Sequence, residues 1–249
     1  MRRDVLATIL LASCTFDHGV APTAAPDGGS AATGDAAVAP RACHSSDPGL
    51  VLCLDFEDPA QVIDSAAVPH QIEASGVQSV TRAGQLAAML TPSSSIVISD
   101  QPALDIEMPL TMELWLMPGV PGDHGMYALD KPNEYDVWLD DTGAYCELYN
   151  ASGHELYAGT FSPLAADAWT HLACVYDGST LVLYRDGNVE ACADGQRAIA
   201  TSDHGTLQVS QQYAGGLDDL HLYAEALTAD QVCALAGGKA CKAGCPPNG

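Results

Sequence analysis

The chain has 249 residues, of which 32 are acidic and nine are Lys or Arg, so its formal net charge is −23. Because such a surface repels phosphate backbones and anionic lipid headgroups, it excludes nucleic acid as a partner and direct electrostatic binding to a membrane. Neutral glycans, cations and basic proteins remain as partner classes, unless the charge serves solubility alone.

The N-terminus has the features of an export signal. Residues 1–3 supply positive charge, a short apolar segment follows, and Leu11-Ala-Ser-Cys14 has the form of a bacterial lipobox. We predict a signal peptide over residues 1–13 and a lipid on Cys14, which anchors an exported protein to the bacterial envelope without a membrane span. A plain secretory signal is the alternative. Thr15 stands where an Asp would favour the inner membrane, so the outer membrane is preferred.

Residues 14–41 consist almost entirely of Ala, Pro, Gly, Thr, Asp and Val. They hold too little large apolar surface to offset the conformational entropy lost on ordering, so we predict a disordered linker. Its function would be to let the folded domain stand off the membrane. The folded domain is then residues 42–249, which include a Cys-rich C-terminal tail.

The cysteine count agrees with export. The chain has nine cysteines, and a lipid on Cys14 leaves eight that can pair completely. No two of them have Cys-x-x-Cys spacing, and an oxidising compartment favours disulfides over zinc. The eight are Cys43, Cys53, Cys146, Cys174, Cys192, Cys233, Cys241 and Cys245. We expect Cys43 to pair with Cys53, Cys233 with Cys241 or Cys245, and Cys174 with Cys146 or Cys192.

The folded part has the pattern of many short strands. It begins with an apolar run at residues 49–56, and Pro and Gly separate the segments that follow. Further strands are predicted at residues 79–82, 87–90, 95–98, 112–117, 127–129, 135–139, 144–149, 156–161, 169–176, 181–184, 206–210 and 217–223. The only predicted helix starts at Thr228, where Gln231 completes a capping box. This pattern indicates two packed antiparallel sheets.

Three segments carry a family pattern. A hairpin reads Trp169-Thr-His-Leu-Ala-Cys-Val-Tyr-Asp-Gly178 and continues as Leu181-Val-Leu-Tyr-Arg-Asp-Gly187, with side chains that alternate as in a strand. Leu110-Thr-Met-Glu-Leu-Trp-Leu-Met-Pro118 precedes it, and Gly215-Gly-Leu-Asp-Asp-Leu-His-Leu-Tyr223 leads into the helix. Together they resemble the laminin G-like, concanavalin A-like jelly-roll domains, over about residues 50–236.

The resemblance implies an all-β, two-sheet antiparallel jelly-roll sandwich with one short C-terminal helix. It implies less about activity, because this fold hosts lectins, adhesion modules and glycosidases alike. Related jelly rolls often bind one structural calcium ion between acids after the first strand and an Asp that opens the last. The matching positions are Asp55, Glu57, Asp58 and Asp218, and Asp64 could add to them. Ordinary turn and edge acids are the alternative.

A ligand-binding face is predicted at residues 134–140. Strand alternation places Glu134, Asp136, Trp138 and Asp140 on one side, and Tyr149, Tyr145 and Glu147 on the next strand could widen the site. A tryptophan flanked by carboxylates is how sugar-binding sites are often made, because the ring stacks on a pyranose and the acids accept its hydroxyl hydrogen bonds. The alternative is a core Trp138 beside solvated edge acids. His171 is expected to be a structural histidine.

Catalysis is not predicted. Glu134-Tyr-Asp136 resembles the start of the catalytic pattern of family 16 glycoside hydrolases, but the second catalytic glutamate is missing because positions 138 and 139 are Trp and Leu. The sequence therefore predicts a non-catalytic binding or adhesion module for a glycan or an extracellular protein, with no catalytic residue. A structural envelope protein and, more remotely, a glycoside hydrolase are the alternatives.

Overall fold

The computed structural model describes residues 43, 49–119, 125–160, 162–195, 198–201, 205–238 and 240–246. The predicted signal peptide, Cys14 and the linker lie outside these residues. Within them the chain forms fifteen β-strands, one short α-helix and a 3-10 turn at Pro102–Leu104. The predicted all-β jelly-roll fold is confirmed.

Most elements are short and are joined by turns. In chain order they are β1 (Leu50–Leu54), β2 (Ile72–Ser75), β3 (Gln78–Arg82), β4 (Gln85–Leu90), β5 (Ser95–Ile98), β6 (Leu110–Pro118), β7 (Met126–Lys131), β8 (Tyr135–Leu139), β9 (Ala144–Tyr149), β10 (Glu155–Gly159), β11 (Thr170–Tyr176), β12 (Thr180–Arg185), β13 (Asn188–Asp194), β14 (Leu207–Gln211), β15 (Gly215–Tyr223) and α1 (Ala229–Leu235). In this part of the chain, no helix has the length and apolar character of a bilayer-crossing segment.

The strands form two antiparallel sheets. The first sheet has the order β13-β12-β11-β6-β15-β4-β3, and the second has the order β10-β9-β8-β7-β14-β5-β2. In the first sheet β15 pairs with β6 along one edge, while its other edge is shared by β4 at residues 215–217 and β1 at residues 220–223. The second sheet places β7, β8, β9 and β10 side by side, and these four strands carry the candidate site.

One apolar core fills the space between the sheets. Alternation along β8 buries Tyr135, Val137 and Leu139 against the first sheet, and alternation along β11 buries Leu172 and Cys174 against the second. Removing such a side chain from water stabilises the fold by about 1.5 to 3 kcal/mol. The inward positions of β8 therefore fix which of its side chains face outward.

All eight remaining cysteines form disulfides, as the sequence predicts. The bonds are Cys43–Cys53, Cys146–Cys174, Cys192–Cys245 and Cys233–Cys241. Cys146 on β9 and Cys174 on β11 belong to different sheets, so their bond crosses the core, with the two Cα atoms 5.8 Å apart. Two bonds hold the C-terminal tail. Each native disulfide typically contributes about 2 to 4 kcal/mol, and the set is characteristic of an exported protein.

Local sequence signals account for the turns and the helix. Thr228 accepts a hydrogen bond from the Gln231 amide, and the Gln231 side chain accepts one from the Thr228 amide at 2.8 Å, so the predicted capping box is present. Two strands were not predicted, β2 and β13. Three of the four residues of β2 are exposed, because it lies at the edge of its sheet and shows little apolar alternation.

Candidate functional site

The outward surface of β7 to β10 gathers acids and aromatic rings. Strand pairing aligns Asp130 with Asp136, Asp136 with Glu147, and Glu147 with Tyr157. A second row joins Tyr127, Trp138 and Tyr145 across three strands. We call this surface the acid–aromatic face, and it comprises Tyr127, Asp130, Asp136, Trp138, Tyr145, Glu147, Tyr149, Glu155 and Tyr157.

Trp138 lies on this face and not in the core. It is half-buried, and its ring stacks on that of Tyr145 with the ring centroids 4.7 Å apart and the planes 18° from parallel. The Tyr145 hydroxyl lies 2.6 Å from the Thr142 hydroxyl, which holds the ring in place. A Cβ atom at Gly159 would lie 2.4 Å from the Tyr145 ring, so only glycine leaves room for the ring there. The two rings therefore lie face to face and hold each other in place, and we call this stacked pair the Trp138–Tyr145 platform.

The carboxyl group of Glu147 organises the middle of the face. It accepts a hydrogen bond from the Trp138 indole Nε1 and another from the Tyr149 hydroxyl, whose oxygen lies 2.8 Å from Oε2. Burial raises the pKa of Glu147, and these two hydrogen bonds counteract that shift only in part. Burial and the carboxyls of Asp136 and Glu147 together raise the pKa of the Tyr149 hydroxyl.

The pKa of the Asp136 carboxyl group is raised far above its ordinary value. Burial, followed by repulsion from Glu147 and Asp130, raises the pKa of its carboxyl group from 3.8 to about 9, while the Tyr149 hydroxyl acts in the opposite direction. The residue is 3% exposed, and its Oδ1 atom accepts no hydrogen bond from the described residues. At neutral pH the carboxyl group therefore retains its proton.

Two residues of the predicted site lie elsewhere. The Glu134 carboxylate is fully buried 3.6 Å from the ammonium of Lys131, which also contacts Asp100. The Asp140 carboxylate closes a turn by accepting hydrogen bonds from the amides of Thr142 and Gly143. These hydrogen bonds lower the pKa of Asp140 although burial acts in the opposite direction.

The pair that resembled a hydrolase pattern is thus not assembled. Asp136 belongs to the acid–aromatic face, whereas Glu134 is buried beside Lys131. The face instead contains Tyr145 and Glu147, which strand alternation along β9 indicated, and Tyr127, Asp130, Glu155 and Tyr157, which the sequence analysis missed. Their alternation was visible, but the pairing of strands that brings them together was not.

A second polar cluster lies on the outward side of the first sheet. The Glu113 carboxylate is bonded to His171, with Nε2 2.8 Å from Oε1, and to Nδ1 of His221. Both histidines are buried, which agrees with a structural role for His171. Although burial raises the pKa of Glu113, the two histidines lower it to about 2. We call these three residues the His–Glu–His cluster.

Among the described residues, the acids predicted for calcium are not gathered into one cluster. The Asp218 carboxylate is 2.7 Å from Nε of Arg82, and the same guanidinium binds Asp219. Asp64 accepts hydrogen bonds from three backbone amides, those of Cys53, Ala66 and His70.

The carboxylates after β1 are also used locally. Asp55 and Asp58 accept from the amides of Glu57 and Ala60. Among the described residues, the one group of potential ligands close enough to hold a metal is Cys43, Cys53 and His221, and its two cysteines form a disulfide. Asp55, Asp58, Asp64 and Asp218 thus each have a donor within the protein, and calcium binding stays a prediction.

Residues 91–233 match the family model described as the concanavalin A-like lectin/glucanases superfamily. No curated protein sequence matches the chain.

Solved structures that are similar to this chain include binding domains of toxins. The binding domain of Paraclostridial Mosquitocidal Protein 1 is 15% identical, with a TM-score of 0.66 over 76% of this chain and 52% of that one. The binding domain of Botulinum Neurotoxin DC in complex with SialylT is 12% identical, with a TM-score of 0.64 over 76% and 51%. The same domain in complex with rat synaptotagmin II is 10% identical, with a TM-score of 0.63 over 76% and 51%. The chain spans about half the length of these structures, and at this identity they show the fold alone.

Proposed function

The chain belongs to the concanavalin A-like lectin/glucanases superfamily, and from that premise we propose that it is a non-catalytic module that binds carbohydrate on its acid–aromatic face. The observation that carries the proposal is the Trp138–Tyr145 platform on the outward side of the second sheet. An aromatic ring suits the apolar face of a pyranose, since both can exclude water without losing hydrogen bonds. The carboxyl groups of Asp136 and Glu147 border this platform and supply partners for sugar hydroxyls.

The neighbouring structures favour binding over catalysis. The titles of two of them name a glycan ligand, SialylT, and a protein ligand, synaptotagmin II, for the same toxin domain. These ligands belong to the toxins, but they support a role in recognition for this chain. The separation of Glu134 from Asp136 supports the same choice, because these two are the carboxyl groups that resembled the glycosidase pattern.

The proposal includes display on a bacterial envelope. Cys14 is the cysteine left over when the other eight have paired, and it ends a lipobox-like sequence. A lipid on Cys14 and the linker over residues 14–41 would hold the domain at a distance from the membrane. Radiolabelled palmitate should be incorporated into the expressed chain and lost in Cys14→Ala. Incorporation in both forms, or in neither, would contradict the anchor.

A glycan array probed with the full chain tests the binding function. We expect saturable binding that is lost in Trp138→Ala, because the platform is removed. Leu86→Ala is the matched control, since it shortens an exposed apolar side chain on β4 of the other sheet and should bind as the parent does. An array without signal, or equal binding by Trp138→Ala, would instead favour a protein partner or a structural envelope role.

A further inference from the structure

A lysine shielded from water lies at the end of β7, away from the acid–aromatic face. The side chain of Lys131 is 0% exposed, and its Nζ atom has three carboxyl groups around it. The distances from Nζ are 2.8 Å to Asp100 Oδ1, 3.0 Å to Asp105 Oδ1 and 3.6 Å to Glu134 Oε1. A buried lysine needs one carboxylate to balance its charge. The presence of three such groups raises the question of what the other two do.

The fold holds Asp105 against this lysine. Asp105 lies between Leu104 and Ile106, and both of these neighbours are part of the apolar core. Tyr135 pairs with Lys131 across β7 and β8, and its hydroxyl donates to the Leu104 carbonyl at 2.8 Å. The same tyrosine therefore contacts both the strand of the lysine and the segment of the aspartate. Because the fold brings the two side chains together, no further entropy is lost when they meet.

The hydrogen bonds of Lys131 leave one side of its nitrogen open to Asp105. Nζ donates to Asp100 and, at 2.7 Å, to the carbonyl of Gly205. A neutral amine has two N–H donors and one lone pair, so these two bonds would direct the lone pair toward the remaining neighbours. Oδ1 of Asp105 is one of them, and it accepts no aligned hydrogen bond from the described residues although it lies 3.0 Å from Nζ. Separations of about 3 to 3.5 Å are typical of groups poised to react.

From this arrangement we propose that Lys131 and Asp105 condense to an amide, an isopeptide bond, with Glu134 as the group that transfers protons. Glu134 takes a proton from the ammonium group, and the free amine attacks Cγ of Asp105. The C–N bond forms and one C–O bond breaks. The departing oxygen receives, by way of Glu134, both protons that the nitrogen loses, and it leaves as water. Glu134 ends as it began, so no further reactant is needed.

The surroundings of the three side chains suit a single slow condensation. Lys131 and Glu134 are both 0% exposed, which keeps bulk water from the nitrogen, while the 17% exposure of Asp105 gives the released water an exit. Burial lowers the pKa of Lys131, but its contacts with Asp100 and Asp105 raise it overall. The amine is therefore a minor form at neutral pH, and the bond accumulates after folding. This modification is independent of the proposed carbohydrate binding.

Intact mass spectrometry of the full chain tests the proposal, with all disulfides reduced after folding. We expect the parent to be lighter by one water than its own sequence requires, and a branched proteolytic peptide to join Lys131 to Asp105. Lys131→Arg keeps the positive charge but offers a guanidinium that stays protonated, so its mass should match its sequence. Lys242→Arg is the matched control, because it makes the same change at an exposed lysine and should retain the loss of water.

Two further variants separate the roles of the carboxyl groups. Glu134→Gln should form the bond at least about a hundredfold more slowly, because the amide cannot carry the protons. Asp105→Ala removes the acyl group, leaves Lys131 paired with Asp100, and should show the full mass. It replaces Lys131→Arg as the test if that variant does not form the four disulfides of the parent.

Each other outcome overturns a stated part of the inference. A parent with its full mass at all times after folding would show that Lys131 and its acids form ion pairs only. A loss of water that persists in Lys131→Arg would place the dehydration elsewhere, for example in a succinimide at Asp177-Gly178. A branched peptide that ends at Asp100 would contradict the choice of Asp105. Equal rates in Glu134→Gln and the parent would remove Glu134 from the reaction.

Discussion

On the outward sides of the two sheets, the pKa values of buried acids are shifted in opposite directions. In the His–Glu–His cluster of the first sheet, Glu113 has a histidine on each carboxylate oxygen, and its pKa falls to about 2. On the acid–aromatic face of the second sheet, Asp136 has acids as neighbours, and its pKa rises to about 9. Burial acts in the same direction on both groups, so the neighbours decide the sign. Glu113 thus has a hydrogen-bonding partner on each oxygen, whereas Asp136 lies among other acids.

The largest expected loss of stability comes from disrupting the His–Glu–His cluster. Glu113→Ala leaves two buried histidines without their acceptor, and removal of one partner from a buried pair typically costs about 3 to 5 kcal/mol. Urea unfolding measures the loss in free energy of unfolding. Glu57→Ala removes an exposed carboxylate and should change it by no more than about 0.5 kcal/mol. A Glu113→Ala protein as stable as the parent would mean that the cluster contributes little.

The pH dependence of stability should distinguish the two arrangements. The lowered pKa of Glu113 gives stability above its ordinary value of 4.5 that is lost as the pH falls toward about 2. The raised pKa of Asp136 acts oppositely, since it gives stability that is complete below 3.8 and is lost as the pH rises through about 9.

Asp136→Asn should therefore flatten the alkaline side of the stability profile. We expect the variant to gain about 1 to 3 kcal/mol over the parent at about pH 8, because the parent carboxyl group is ionised in the unfolded chain and must take up a proton on folding, whereas Asn need not. The gain should shrink at about pH 4, where both proteins are neutral at this position. Part of the slope should persist, since the pKa values of Asp130 and Glu147 are raised as well. An unchanged slope would contradict the assigned environment of Asp136.

A smaller effect on stability should come from Gly159→Ala. The new methyl group displaces the Tyr145 ring, which costs about 1 kcal/mol of ring stacking and leaves both aromatic side chains present. We expect weaker glycan binding and a changed Trp138 fluorescence spectrum. Gly244→Ala is the control, because nothing lies within 4 Å of a Cβ atom built there. Full binding by Gly159→Ala would show that the stacked platform is not needed.

The smallest expected effect is that of a chelator. Because Arg82 already binds Asp218 and Asp219, EDTA should shift the melting temperature by less than about 1 °C. Differential scanning calorimetry of the full chain, with and without added calcium, provides the measurement. A clear decrease in EDTA that calcium reverses would restore the calcium site predicted from the family resemblance.

The fold could be predicted from the sequence because strands and helix caps are encoded by residues that are close together in the chain. Alternation along residues 135–139 shows which side of β8 is apolar, and the capping box at Thr228 locates the helix. The site depends on partners that are distant in sequence. Asp218 looked available for calcium because Arg82, its partner, is 136 residues away.

Glu134 fails as a site residue for a related reason. It immediately precedes β8 and follows Asn133, whose φ of 62° belongs to a turn, so strand alternation does not extend to it. Its carboxylate instead meets Lys131 from the end of β7. Alternation predicts the side of the sheet to which a side chain points inside a strand. At the ends of a strand, turn geometry decides that direction instead.

The bond between Cys146 and Cys174 also determines how a mechanical force on the acid–aromatic face would be transmitted through the fold. Tyr145 and Glu147 flank Cys146 on β9, so a ligand held by the acid–aromatic face pulls on the strand that carries the bond. Tension on β9 then passes covalently to β11, a central strand of the opposite sheet, and does not depend on the hydrogen bonds between β9 and its neighbours alone. A surface fixed in this way would stay connected to the opposite sheet after the edge of its own sheet has begun to yield.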